Sequence, residues 1–175
     1  MACSQTLSGL TKDCVASLGG IIEVYLANKE DVTITTTSGK VTGITMASSA
    51  KFHKYAFRPN TSSMSSNYQA AADNGIPYVQ TDLVLVFNRM DTTKRIEVVA
   101  MAQGELCALV RDANGLLWFL GADGPVVLTA GDGLTGTQRS DRNGYSVTLQ
   151  DTSKELPMEI LEGTGGVDLS AIVAA

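Results

Sequence analysis

Turn signals cut residues 21–161 into about nine or ten short runs rich in β-branched and aromatic side chains, a rhythm that suits strands and little else. Residues 21–27 alternate imperfectly, as a buried strand does, and residues 28–31 turn the chain. The runs 32–37 and 41–46 flank Ser38-Gly39 and read as a hairpin. Another strand is expected over 52–57, closed by Pro59, and the strongly apolar run 78–87 fits a central strand. Further on, 106–111 and 116–120 flank Asp112-Ala113-Asn114-Gly115, where Asn-Gly favours a type I′ turn. Residues 126–130 follow Pro125, Asn143-Gly144 introduces 145–149, and Pro157 precedes a last strand over 158–161.

One stretch breaks this rhythm. Asp91 is a good helix cap, because its carboxylate accepts from backbone N–H groups two or three residues on. Ile96, Val99, Ala100 and Gln103 then recur at i, i+3, i+4 and i+7, the mainly apolar stripe of a helix packed beside a core, and Gly104 is a natural terminator. Many strands and one helix predict a mainly β fold, a two-sheet β-sandwich or barrel with one packed α-helix. With no internal repeat and no composition boundary, residues 1–175 read as a single domain with an N-terminal arm over 1–20. A C-terminal extension, 162–175, contains Gly163-Thr164-Gly165-Gly166 and ends apolar. Residues 60–75, rich in Ser, Asn and Ala, read as a long loop and a candidate contact arm.

Composition narrows the functional classes. Hydrophobic residues make up 44% of the 175 and charged residues 18%, against about 25% charged in ordinary domains, so the surface is short of charge and invites a partner. The 13 Lys+Arg against 18 Asp+Glu give a net charge of −5, the reverse of what tight binding to a phosphate backbone needs. The densest basic stretches are 51–58 and Lys94-Arg95, which leaves only passive contact with DNA open. No run approaches the roughly 18 apolar residues that span a bilayer. Residues 1–10 lack a basic start and an apolar stretch, so no secretory signal is expected and synthesis is expected in the cytoplasm. Cys3, Cys14 and Cys107 are odd in number and lack CxxC spacing, which predicts reduced thiols, with Cys107 as a small core residue.

Signals for catalytic chemistry are weak. His53, the one histidine, has no nucleophile motif near it, and no Gly-x-Ser-x-Gly elbow occurs. Ser38-Gly39-Lys40 lacks the earlier glycine of a phosphate loop. Residues 131–136 match Gly-x-Gly-x-x-Gly, but Thr137-Gln138-Arg139-Ser140-Asp141 follows where a dinucleotide site needs a helix, so 131–136 read as a flexible connection. Asp132, Asp141 and Asp151 lack calcium-loop spacing and read as solvated loop carboxylates. Trp118, in an apolar strand, reads as a core anchor. No catalytic, cofactor-binding or metal-ligating residue is assigned, and no enzymatic activity is expected.

The C-terminal half carries a resemblance. The strand, the helix over 92–103 and the Asn-Gly hairpin leading to Leu117-Trp118-Phe119-Leu120-Gly121 are followed by Val127-Leu128-Thr129-Ala130-Gly131. Asp141-Arg142-Asn143-Gly144-Tyr145-Ser146-Val147-Thr148-Leu149 comes next, and this order resembles the tail-tube (major tail) proteins of long-tailed bacteriophages and prophages. Cys3-Ser4-Gln5-Thr6-Leu7 and Gly19-Gly20-Ile21-Ile22-Glu23-Val24-Tyr25 are similar to the opening of such proteins. The likeness covers most of the chain and rests on packing and turn motifs.

This resemblance implies a tail-tube-like subunit of two sheets and one helix, closing with five copies of itself into a hexameric ring. Rings stack into the tube through which DNA passes, so the chain is made in the bacterial host cytoplasm and ends in the virion tail. Its implied partners are copies of itself, other tail proteins and DNA in transit, with no cofactor. Sheet edges would pair between neighbours, and the arm 1–20 and the segment 60–75 would reach adjoining subunits or rings. An acidic lumen would repel phosphates and let DNA slide. The residues leave open another phage component, such as a neck, terminator or head-decoration protein. They also leave open a carbohydrate- or cell-surface-binding β-sandwich using Tyr25, Tyr55, Tyr68 or Tyr78.

Overall fold

A computed structural model describes residues 7–12, 14–70 and 77–174. In chain order it holds β1 (Ile21–Asn28), a 3-10 turn (Lys29–Asp31), β2 (Val32–Thr37), β3 (Lys40–Met46), β4 (His53–Tyr55), β5 (Ser63–Ala70) and β6 (Pro77–Asn88). Then come α1 (Thr92–Gln103), β7 (Leu106–Asp112), β8 (Leu117–Leu120), β9 (Val127–Leu134), β10 (Gly144–Ser153), β11 (Met158–Glu159) and α2 (Leu169–Ile172). The chain is mainly β, with antiparallel sheets packed sandwich-fashion and one main helix. Among the described residues no helix is long and apolar enough to cross a membrane.

Three layers stack on one another. A four-stranded sheet, β5-β6-β10-β9, faces a five-stranded sheet, β11-β8-β7-β1-β4. Val24, Leu26, Leu83, Leu85, Val110, Val147 and Leu149 fill the space between them, closed at one side by Met101 of α1. The opposite face of the five-stranded sheet is covered too. Tyr25, Leu109 and Phe119 meet Val32 and Val41 of the β2–β3 hairpin, together with Phe52, Ile160, Val167 and Ile172. Double coverage explains the imperfect alternation of β1 and the unbroken burial of Leu106, Cys107, Ala108, Leu109 and Val110, since a strand buried on both faces has no polar side to show. β6 has one covered face and alternates strictly, with Val79, Thr81, Leu83, Leu85 and Phe87 inside.

Several expectations are corrected. The loop over 60–75 is in part a strand: β5 pairs with β6 from Ser63↔Val84 to Ala70↔Pro77, and residues 71–76 lie outside the described residues. Serines and asparagines there suit a strand margin that faces water on one side. Residues 131–134 are strand as well, because β9 pairs with β10 as far as Leu134↔Gly144. Glycine at 133 makes room for the Tyr145 ring, which a Cβ would approach to 3.1 Å. The apolar stripe of α1 points outward, with Ile96 and Val99 at 55% and 45% exposure, while Val98 and Met101 face the core. Packing chose the neighbouring face because the helix is nearly as apolar on either side. Gly104 ends α1 in extended backbone, φ −92°, without the left-handed conformation a glycine terminator commonly supplies.

The Asp112 turn is not type I′, since only Gly115 has positive φ, at 90°. Gly115 N–H donates to Asp112 O, and Asp112 N–H donates to Leu116 O, which makes a three-residue loop. The Asp112 carboxylate fixes that loop by accepting from the backbone N–H groups of Asn114 and Leu116, each at 2.9 Å. The strands expected over 52–57 and 158–161 shorten to β4 and β11. The apolar end of the C-terminal extension has a packing role: Phe52 N–H donates to Ile172 O, Ala174 N–H donates to Phe52 O, and Ile172 is buried. By contrast Leu7, Leu10, Val15 and Leu18 of the arm are largely exposed, and Leu18 is tied only through its backbone to Asn114.

Candidate functional site

The two sheets end differently. The margins of the five-stranded sheet are β11, two residues, and β4, three residues. Those of the four-stranded sheet are β5 and β9, eight residues each, and among the described residues each has a strand partner on one side only. Every residue of β9 except Leu128 is exposed. A long exposed edge is a template for another chain, and isolated domains usually shorten, charge or cover it. Neither margin here carries a lysine, an arginine or a proline.

The outward face between those margins is polar apart from Val84 and Val86, and its own strands supply no cation. β6 presents Gln80, Asp82, Val84, Val86 and Asn88, and β10 presents Ser146, Thr148, Gln150 and Thr152 beside them. β5 adds Ser65 opposite Asp82, and β9 adds Asp132 opposite Ser146. No Lys or Arg occurs in any of the four strands. Asp82 accepts from Gln150 Nε2 at 2.9 Å and from Gln80 Nε2 at 3.4 Å, so one carboxylate sits mid-face held by amides. Asp132, near the end, meets Arg142 Nη2 at 3.2 Å.

Charge collects at the two ends of this sheet. Beyond Asn88 and Gly144, Arg58, Arg89, Arg139 and Arg142 line an open depression of about 630 Å³ together with Asp141. The strands are locked together here: Arg89 N–H donates to Asn143 O at 2.6 Å, and Met90 N–H donates to Asn143 Oδ1 at 2.9 Å. Gly144 has no alternative, because a Cβ would fall 1.9 Å from Phe87 O. The Asp141 carboxylate is committed to its own loop, accepting from Gln138 and Thr137 N–H at 2.7 and 2.8 Å, and those two bonds hold its pKa below the ordinary value. The side chains of Arg89 and Arg139 make no hydrogen bond or ion pair among the described residues.

At the other end, Asp123 and Glu155 are exposed, with Asp151 beneath them beside a cavity of about 220 Å³. Asp151 is 2% exposed, which corrects its reading as a solvated loop residue. Burial raises its pKa, while Gly121 N–H, donating to Oδ2 at 3.2 Å, works against the rise. Lys29 approaches from the side, its Nζ 3.4 Å from Ala122 O and 5.8 Å from the Phe119 ring centre.

The residues weighed for chemistry do not converge. His53 is exposed on β4, at the rim of a groove of about 460 Å³ between β4 and α1, where Tyr55 Oη donates to Glu97 Oε2 at 2.9 Å. Asp132 and Asp141 lie at the arginine end and Asp151 at the other, and among the described residues no three His, Cys, Asp or Glu side chains are grouped to hold a metal ion. Trp118 is only half-buried, its indole N–H donating to Asp112 Oδ2 at 3.2 Å, so it is not the core anchor expected. Tyr25 is buried, and Tyr68 and Tyr78 pair across to Val79 and Gln69, which places them on opposite faces of the sheet. Cys107 is buried and its thiol pKa is pushed up to about 12 by that burial; Cys14 is exposed, and Cys3 lies outside the described residues.

Sequence reasoning missed the arginine end. Its four arginines are spread over residues 58–142, and the usable signal was positional: Arg89 follows one strand and Arg142 precedes another, so pairing those strands brings them together. Scanned against protein-family models the chain matches none, and a search of curated proteins finds no match.

Proposed function

We propose that the protein is a non-catalytic virion building block that assembles with copies of itself into stacked rings, probing the tail-tube reading that its sequence motifs suggest. The support comes from one sheet, which among the described residues has two eight-residue margins without a second strand partner, and whose four strands carry no lysine or arginine. If β5 of one copy lies beside β9 of the next, the edge groups pair, and a head-to-tail contact of that kind closes into a ring. The outward faces then form one continuous wall, mainly of amides, hydroxyls and carboxylates around Val84 and Val86. Such a wall offers phosphates no cation to bind, so DNA passes without sticking. The exposed apolar side chains of the arm and of α1 find cover in the same assembly, where contacts bury what a lone subunit leaves in water.

Six copies per ring and a place in the phage tail follow from the sequence resemblance. Negative-stain electron microscopy over a concentration series tests the reading. Rings of six-fold symmetry, lengthening into tubes as concentration rises, are the expected result. A protein that stays monomeric throughout overturns it, and rings that never stack point to a neck or terminator component.

A further inference from the structure

The four-stranded sheet is electrically polar along its strands. From Gly144 to Ser153, β10 spans roughly 30 Å at about 3.4 Å per residue, and the charges at its two ends differ in sign. Four guanidiniums gather beyond Gly144, where Asp132 is already paired and Asp141 is bound to its own backbone. Beyond Ser153 the exposed carboxylates are Asp123 and Glu155, joined by Glu105, which precedes the Leu106 that bonds Val126 just before β9. Lys154 adjoins them: its backbone N–H donates to Asp123 Oδ2 at 2.8 Å, leaving Oδ1 outward, and its Nζ is 4.0 Å from Asp123 and 87% exposed. Lys29, nearby, is turned inward onto Ala122 O and Phe119. Charges in solution are screened over about 8 Å at physiological ionic strength. The two ends of one copy therefore cannot neutralise each other.

We propose that the arginine end of each sheet seats the carboxylate end of a second copy, so that rings stack head to tail through opposite charges. This rests on the ring reading and adds the surface by which rings meet. Arg58, Arg89, Arg139 and Arg142 form one side of the contact, and Glu105, Asp123 and Glu155 form the other. Stacking also removes a conflict in the ring alone, whose cation-free wall would otherwise be bordered by bare guanidiniums that hold DNA phosphates. The chemistry favours a protein partner over nucleic acid because this chain carries the complementary charges itself, at the end a stacked copy presents.

Charge reversal tests the contact. One variant carries Arg89→Glu and Arg139→Glu, at side chains that make no bond within the described fold. A second carries Glu105→Arg and Glu155→Arg, at exposed side chains. Each variant alone is expected to form rings without tubes, seen by electron microscopy and sedimentation velocity. Mixing the two sets of preformed rings, or combining all four changes in one chain, is expected to restore tubes. Tubes from either variant alone as long as those of the unaltered protein overturn the proposal, as does failure of both the mixture and the fourfold variant to stack. Loss of binding to a short DNA duplex by the first variant, with tube length unchanged, assigns the arginines to phosphates instead. Absence of rings from the unaltered protein overturns the ring reading and this contact with it, whereas rings whose stacking ignores reversal overturn the contact alone.

Discussion

Asp151 keeps its Oδ1 without a hydrogen-bond partner among the described residues, although the residue is 2% exposed. An acceptor taken from water without replacement costs about 1–3 kcal/mol, and the cost is greater when the group is ionised. Burial accordingly holds the folded pKa above the ordinary value of 3.8. Between those two values the folded protein binds more proton than the unfolded chain, so stability falls as pH rises through the window and stays lower above it. Asp151→Asn removes the charge and keeps an oxygen for Gly121 N–H. The variant is expected to be more stable than the unaltered protein near neutral pH by about 1–3 kcal/mol, and to lose that advantage below pH 3.8. Urea denaturation at a series of pH values measures both, and an Asn variant less stable at neutral pH contradicts this account of the site.

At the scale of elements, α1 separates what the sequence reveals from what it hides. Asp91 caps the helix as its position suggests, its Oδ1 accepting from Lys94 N–H at 2.8 Å, because a cap depends on residues within one turn. Which face goes inward depends on distant strands, and there the 3.6-residue period misleads: Met101 is 3% exposed while Ile96 stands at 55%. Met101→Ala is expected to cost about 2–3 kcal/mol in denaturant unfolding, as removal of a buried side chain does. Ile96→Ala and Val99→Ala are expected to stay within about 0.5 kcal/mol, and equal costs at the three positions would return the stripe to the core. The same division runs through the strands. Most were legible from period and turn residues, including the Ser38-Gly39 hairpin, where both residues take positive φ. β5 and the end of β9 were not, since Ser-, Asn- and Gly-rich segments announce a strand only through the neighbour they pair with. Likewise the two margins and the arginine end emerge only once β6 and β10 are laid side by side.

On the scale of the whole molecule, the outward face of the four-stranded sheet is built from strands that carry no lysine or arginine. If this face lines a DNA passage, its chemistry is a requirement that substitution can violate without touching the fold. Thr148 sits on the outward side of β10, between Val84 and Ala130 of the adjoining strands, and Asp82 lies one outward position along. Thr148→Lys combined with Asp82→Asn places a cation on each copy and removes a carboxylate, which a ring multiplies around its lumen. Rings of this variant are expected to retard a short DNA duplex in an electrophoretic shift at low salt, with affinity falling steeply as salt rises, as counterion release demands. Unaltered rings, stacked so that their arginine ends are covered, are expected to leave the duplex free. Lysines on the far side of the molecule supply the control: Thr33→Lys combined with Thr35→Lys, on the exposed β2 strand, raises the net charge by the same amount away from the sheet. Equal retardation by both variants would mean that net charge alone governs the contact, and retardation by neither would mean that DNA does not meet this face. Only a gain confined to Thr148→Lys with Asp82→Asn identifies the face as the wall along which DNA slides.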